Sequence, residues 1–265
     1  MKLFLLLLPA AAFALLAGCA SRQNEKESRP EESELRVSAA VSLKDAFDEL
    51  GRLHDESRAG TKIVFNYGAS GVLQKQIENA APVDVFASAG TKQMDALAER
   101  GLIVADTRRD FARNQLVLVV PHDTAFRPTS FEQLTDERIK RLAIGNPKTV
   151  PAGQYAEQLF TNLKLWQQLQ SRLVLAEDVR QVLDYVARGE VEAGVVYASD
   201  IVAAGDQISV AARAAGGGHD PILYPIAVIR DSRRQTAARE FVALLLSSEG
   251  QALLHRHGFL PVSQQ

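Results

Sequence analysis

The sequence predicts an α/β protein of two lobes, each a mostly parallel sheet flanked by helices, joined by a hinge of two crossing strands. Three observations carry this expectation. From residue 35 onward, short apolar runs of strand character alternate with segments of helical periodicity, and such alternation builds parallel sheets covered on both faces. The alternation is broken at 115–120, a continuous apolar strand closed by Pro121, and then restarts with a fresh set of units. A second long apolar strand at 222–229 precedes the last helix, so the later set reads as a lobe inserted within the first.

Taken in order, residues 35–41 form the first strand. Leu43, Ala46, Phe47, Leu50 and Leu53 then recur at helical spacing behind Ser42, which reads as the helix cap. A strand at 62–67 leads into a helix over 70–77. A strand at 83–87 leads into a helix over 91–100, with Gly101 as its C-terminal cap. After the strand at 115–120, the second set comprises a strand at 141–144, a largely helical stretch over 153–170, a short strand at 173–175, a helix over 178–188 and a strand at 193–197. The strand at 222–229 and a helix over 232–246 follow. Crossings are placed near Gln115 and Tyr224, which assigns 35–115 with 225–265 to the first lobe and 116–224 to the second. Ligands in open α/β sheets sit beyond the carboxyl ends of the strands, so the cleft between the lobes is the expected site.

The N-terminus reads as an address. Lys2 is followed by an apolar run over 3–16, too short to span a bilayer, and then by small residues and a charged stretch over 21–34. Residues 1–18 are therefore expected to be a secretory signal peptide. Leu16-Ala17-Gly18-Cys19 resembles the lipobox of bacterial lipoproteins, which implies lipidation at Cys19 and a periplasmic or cell-surface protein held to a bacterial membrane by that lipid. Cys19 is the only cysteine in the chain, so no internal disulfide is possible. Residues 19–34 read as a flexible tether. About 230 residues remain, enough for two lobes of about 100 or more each. A net charge of -2 offers no basic footprint for nucleic acid.

Two motifs, Ala39-Ala40-Val41-Ser42-Leu43 and Gly68-Ala69-Ser70-Gly71-Val72, each close a strand and open a helix. Serine there commonly does no more than cap the helix. With small neighbours on both sides, the same position lets an anion approach the free N–H groups closely. Ser70 is not a nucleophile elbow, because Val72 stands where that motif requires glycine. Val150-Pro151-Ala152-Gly153 and Ala176-Glu177-Asp178-Val179-Arg180 are two further turns of the same kind, with Pro151 starting a helix and Asp178 capping one. Tyr197 ends a strand, where its hydroxyl could reach the cleft or simply pack between lobes. The histidines at 54, 122, 219, 255 and 257 lack metal-ligand spacing, and the last two are expected to face solvent from a tail helix. Gly216-Gly217-Gly218 reads as a flexible turn, since no Lys-Ser/Thr follows it as in a phosphate loop.

In order, these segments together with Asp84-Val85-Phe86-Ala87-Ser88-Ala89 and Val196-Tyr197-Ala198-Ser199-Asp200 resemble the periplasmic molybdate-binding proteins of bacterial ABC importers. The resemblance covers nearly all of the chain after the tether. It implies the type II periplasmic binding protein fold and a receptor without enzymatic activity or cofactor. Its ligand would be molybdate or tungstate, with molybdenum held only as the oxyanion. The ligand set it implies is the hydroxyls and N–H groups of Ser42 and Ser70, the N–H groups of Ala152 and Val179, and the Tyr197 hydroxyl. The implied partners are a permease with its ATPase, met by a monomer that touches membrane only through its lipid. Asp84 is expected to be structural, because a carboxylate beside a dianion would repel it.

A donor-only site matches molybdate, which carries no proton at neutral pH, whereas phosphate carries one and calls for an acceptor. Sulfate, of the same charge and shape, is the alternative ligand, separable only by cavity radius. An exported phosphate-ester hydrolase with Ser70 as nucleophile lacks a base or metal set. A sensor of oxyanion levels is a further alternative.

Overall fold

The computed structural model describes residues 33–57 and 61–262, so the expected signal segment, tether and Cys19 lie outside the described residues. Strand β1 (Ser33–Ala40) passes through a 3-10 turn, Val41–Leu43, into α1 (Lys44–Ser57). There follow β2 (Thr61–Gly68), α2 (Ser70–Glu78), β3 (Val85–Ala87), α3 (Thr91–Glu99) and β4 (Arg109–Arg113). Asn114 and Gln115 lead into β5 (Leu116–Pro121), β6 (Leu142–Gly145), α4 (Pro151–Asn162), α5 (Trp166–Leu169), β7 (Leu173–Ala176) and α6 (Val179–Ala187). Next come β8 (Ala193–Tyr197), α7 (Ala198–Ala204), β9 (Ile208–Arg213), β10 (Leu223–Val228), α8 (Gln235–Leu246) and α9 (Ser248–Arg256).

These strands form two five-stranded sheets, ordered β2-β1-β3-β10-β4 and β7-β6-β8-β5-β9. In the first, β1 runs parallel to β2 and β3 while β10 is antiparallel to both its neighbours. In the second, β6 runs parallel to β7 and β8 while β5 is antiparallel to both of its neighbours. Each sheet therefore carries one reversed strand, and in each it is the first strand laid down after the chain crosses over. The fold is the expected two-lobed α/β architecture, with mixed sheets in which four strands of five share a direction.

Residues buried on both sheet faces give the continuous apolar runs from which the strands are legible. Leu116 to Val120 are fully buried in β5, and Leu142, Ala143 and Ile144 in β6. In the first lobe Phe47 packs its ring against Phe65, Phe111 and Phe241, with centroids 5.8–6.1 Å apart, and so ties α1 to β2, β4 and α8. Parallel connection brings the starts of α1, α2, α4 and α6 to the carboxyl ends of β1, β2, β6 and β7.

The departures from expectation have local causes. Strands β4 and β9 escape a sequence reading because both are edge strands without a buried apolar run: β4 is largely polar, and β9 is short, rich in alanine and leaves Val210 exposed. The stretch 153–170 divides into α4 and α5 at Lys164, whose φ of 60° breaks the helix. A separate helix, α9, follows α8, with Ser247 accepting from Gly250 N at 3.2 Å. His255 is exposed, whereas His257 is partly buried. Its Nε2 lies 2.7 Å from Glu49 Oε2, and Arg256 meets Glu49 Oε1 at 2.7 Å, tying α9 to α1 and holding the Glu49 carboxyl below its usual range. Asp84 is structural, accepting from Arg36 N at 2.8 Å and from Ser232 Oγ at 2.6 Å.

Candidate functional site

Four helix starts converge on one small cavity of about 10 Å³, lined by residues from each of them: Ala40 to Ser42, Gly68 to Ser70, Val150 to Ala152, and Asp178 with Val179, closed by Ala89 and Tyr197. All five residues singled out from the sequence, Ser42, Ser70, Ala152, Val179 and Tyr197, therefore meet at one place. The volume is about that of a single water-sized sphere.

Each start reaches the cavity for a readable reason. Pro151 occupies the first position of α4, where its missing N–H costs nothing, and leaves Ala152 to present the first free N–H of that helix. Asp178 caps α6 as expected, its side chain accepting from Gln181 N at 2.9 Å. The first N–H groups of a helix have no intrahelical acceptor, so these ends present donors and a positive dipole end.

The serines do not behave as caps. Ala40 precedes the first turn and Ala69 is the N-cap of α2, and neither serine caps its own helix through its side chain. Ser42 Oγ instead lies 3.0 Å from the Tyr224 hydroxyl, and Ser70 Oγ accepts from Ala89 N at 3.0 Å. Both serines are buried. A hydroxyl that accepts one bond still has its proton to give.

Tyr197 is 1 % exposed and its hydroxyl donates across the cleft to Ala89 O at 3.3 Å, so it both packs between the lobes and lines the cavity. Burial lifts its pKa, and that of Tyr224, well above the usual phenol value, so both remain protonated. The one charged side chain in the lining is Asp178.

The lobes meet around this cavity. Gly71 N donates to Thr149 O at 2.9 Å, Gln93 Nε2 to Gln154 Oε1 at 3.2 Å, and Arg180 on α6 to Asp45 Oδ2 on α1 at 2.5 Å. Gly71 is required at this approach, because a Cβ there would stand 2.6 Å from Thr149 O.

Sequence reasoning missed the layer behind the site. Asn114, at the first crossing, donates through Nδ2 to Ser199 Oγ at 2.8 Å and to the Tyr224 hydroxyl at 3.2 Å. Asp200, fully buried, accepts from Tyr197 N at 2.9 Å and lies 3.4 Å from Arg180 Nε without hydrogen-bond alignment. Burial pushes the Asp200 carboxyl up to about 6 against the opposing pull of Arg180 and the Tyr197 N–H. Asn114 meets Ser199 and Tyr224 from 85 and 110 residues away, which no local motif marks, whereas Asp200 holds Tyr197 N from three residues on, within the segment 196–200.

Comparison with known proteins supplies the wider frame. The family described as bacterial extracellular solute-binding protein matches residues 35–260. YvgL of Bacillus subtilis, provisionally named an ABC transporter substrate-binding lipoprotein, is 36% identical over 248 residues, covering 94% of each chain. The molybdate-binding protein ModA of Escherichia coli is 33% identical over 233 residues, 86% of this chain and 90% of its own. Among solved structures, a substrate-binding domain from Clostridium difficile, provisionally assigned to a molybdenum ABC transporter, is 41% identical with a TM-score of 0.68, covering 87% of this chain and all of its own.

Proposed function

The chain belongs to the bacterial extracellular solute-binding protein family, and from that premise we propose that it captures molybdate, and tungstate equally, between its lobes for delivery to an ABC importer. Membership makes it an extracytoplasmic transport receptor of the ABC type and not an enzyme. The observation that carries the ligand reading is the cavity itself, where four helix starts and the hydroxyls of Ser42, Ser70 and Tyr197 converge with no cation among the lining residues.

In this reading the oxyanion sits among the Ser42 and Ser70 hydroxyls and N–H groups, the Ala152 and Val179 N–H groups and the Tyr197 hydroxyl. The Tyr197 proton, held on Ala89 O in this arrangement, turns to the ligand. Neutral donors and helix ends disperse the dianion's charge without a buried counter-ion, whose desolvation would cost several kcal/mol. Asp178 is engaged in capping α6, its Oδ1 accepting from Gln181 N. Lobe closure brings the donors of α1 and α2 against those of α4 and α6, and the cavity radius then decides between molybdate and the smaller sulfate. Cys19 carries the lipid that keeps the receptor at the membrane, and a permease with its ATPase takes the cargo from the monomer.

Calorimetric titration with molybdate tests the assignment. Ser42→Ala combined with Ser70→Ala removes two hydrogen bonds to a charged group, each worth about 1.5–3 kcal/mol, and is expected to weaken binding by several kcal/mol with an unchanged circular dichroism spectrum. Wild-type affinity in that variant would remove both serines from the site.

A further inference from the structure

Behind Ser42, the polar side chains at the two crossings form a hydrogen-bond chain with a single direction. Asn114 fixes that direction. Its Oδ1 accepts from Gln115 N at 2.9 Å and faces Ser199 N at 3.4 Å, and since both are N–H groups the amide oxygen must point at them. The Nδ2 end is thereby left to donate, to Ser199 Oγ at 2.8 Å and to the Tyr224 hydroxyl at 3.2 Å. Tyr224 is fully buried and has one proton to place. The acceptor within hydrogen-bond geometry of its hydroxyl is Ser42 Oγ at 3.0 Å. A buried O–H left without an acceptor costs about 1–3 kcal/mol, so the Tyr224 proton goes to Ser42. Ser42 then accepts from behind, and its own proton is free for the cavity that it lines.

We propose that Asn114 and Tyr224 are positioning residues that reserve the Ser42 proton for the captured anion and so set a preference for oxyanions that carry no proton. The proposal rests on the reading of the cleft as an oxyanion site. None of the three side chains is charged, so the direction of the chain is fixed by the Asn114 amide. That amide sits where the chain passes from β4 to β5 and is held by Ser199 at the start of α7, so the same contacts that build the hinge orient the donor. The Tyr224 ring is separately fixed by edge contacts with Phe111, Tyr197 and Phe259, which Tyr224→Phe retains.

The test is a double-mutant cycle read by titration with molybdate, using the wild type, Ser42→Ala, Tyr224→Phe and the two combined. Tight binding by the wild type and weaker binding by Ser42→Ala establish the cleft reading. Tyr224→Phe is then expected to weaken binding about tenfold alone but less than about twofold in the Ser42→Ala background, because it acts through that hydroxyl. Equal losses in both backgrounds, or no loss in either, overturn the relay and leave the cleft reading intact. Absence of molybdate binding by the wild type overturns both. A second variant reads direction. Asn114→Asp accepts from Tyr224, draws the Ser42 proton back to Tyr224 and turns a Ser42 lone pair to the ligand. Affinity for phosphate relative to sulfate is then expected to rise about tenfold. An unchanged ratio in folded Asn114→Asp protein overturns the relay, and if that variant fails to fold, the Tyr224 cycle decides.

Discussion

Gly71 shows how much of this receptor is decided by single atoms. Its N–H closes on Thr149 O across the cleft and its missing Cβ makes the approach possible. Gly71→Ala is expected to hold the lobes apart and weaken molybdate binding at least about tenfold, with a melting temperature close to that of the wild type, because the contact joins lobes and not the core of either. Titration beside a thermal melt checks it. At this scale the site was legible only where local pattern is informative. Ser42, Ser70, Ala152 and Val179 stand out because each opens a helix after a strand, and Tyr197 because it ends one. Asn114, Tyr224 and Arg180 were not legible as a layer behind the site, since each acquires its partner from far along the chain, while Asp200 bonds locally to Tyr197 N and meets Arg180 only through the fold. The capping role read for Ser42 failed for the same reason, its partner Tyr224 lying 182 residues away.

At the scale of elements, α4 fits closely on the end of β6. A Cβ on Gly153 would stand 1.9 Å from Gly145 O, so the first turn of α4 rests directly on the strand. Gly153→Ala must push that turn away and is expected to destabilise the protein by about 1–3 kcal/mol in chemical denaturation, while also displacing the neighbouring Ala152 N–H. The same comparison explains which elements could be read. Buried strands such as β5 and β8 carry unbroken apolar runs and were legible within a residue or two. β4 exposes Arg109, Asp110 and Arg113, and only sheet pairing makes it a strand. The division of α4 from α5 depends on the backbone of one lysine, for which composition gives no warning.

For the whole molecule, charge placed between the lobes links stability to pH. Asp200 has a carboxyl pKa of about 6, raised by burial above the ordinary 3.8, so the folded state holds its proton more tightly than the unfolded chain does. Its contribution is full below the ordinary value and is lost as pH rises through about 6, a change on the order of 2–3 kcal/mol. The groups acting on it are Arg180, Asp45 and Asp178, with the Tyr197 N–H bound to its other oxygen. Denaturation midpoints measured between about pH 4 and 7 are expected to carry this downward slope in the wild type and to lose it in Asp200→Asn. Arg180 also joins α6 to α1 through Asp45, so the pair that responds to pH belongs to the contact between lobes. The two-lobed architecture was legible because the alternation of strands and helices restarts after Pro121. How closely the lobes meet was not, because closure is made of contacts such as Gly71 to Thr149 that no local window contains.

The proposed function rests on one claim, that a cleft of neutral donors selects a tetrahedral dianion without a proton. Parallel calorimetric titration of the purified protein with molybdate, tungstate, sulfate and phosphate near neutral pH addresses it most directly. The expected result is tight and comparable binding of molybdate and tungstate, with sulfate weaker by size and phosphate weaker by its proton. Phosphate binding as tightly as molybdate, or no oxyanion binding at all, would contradict it.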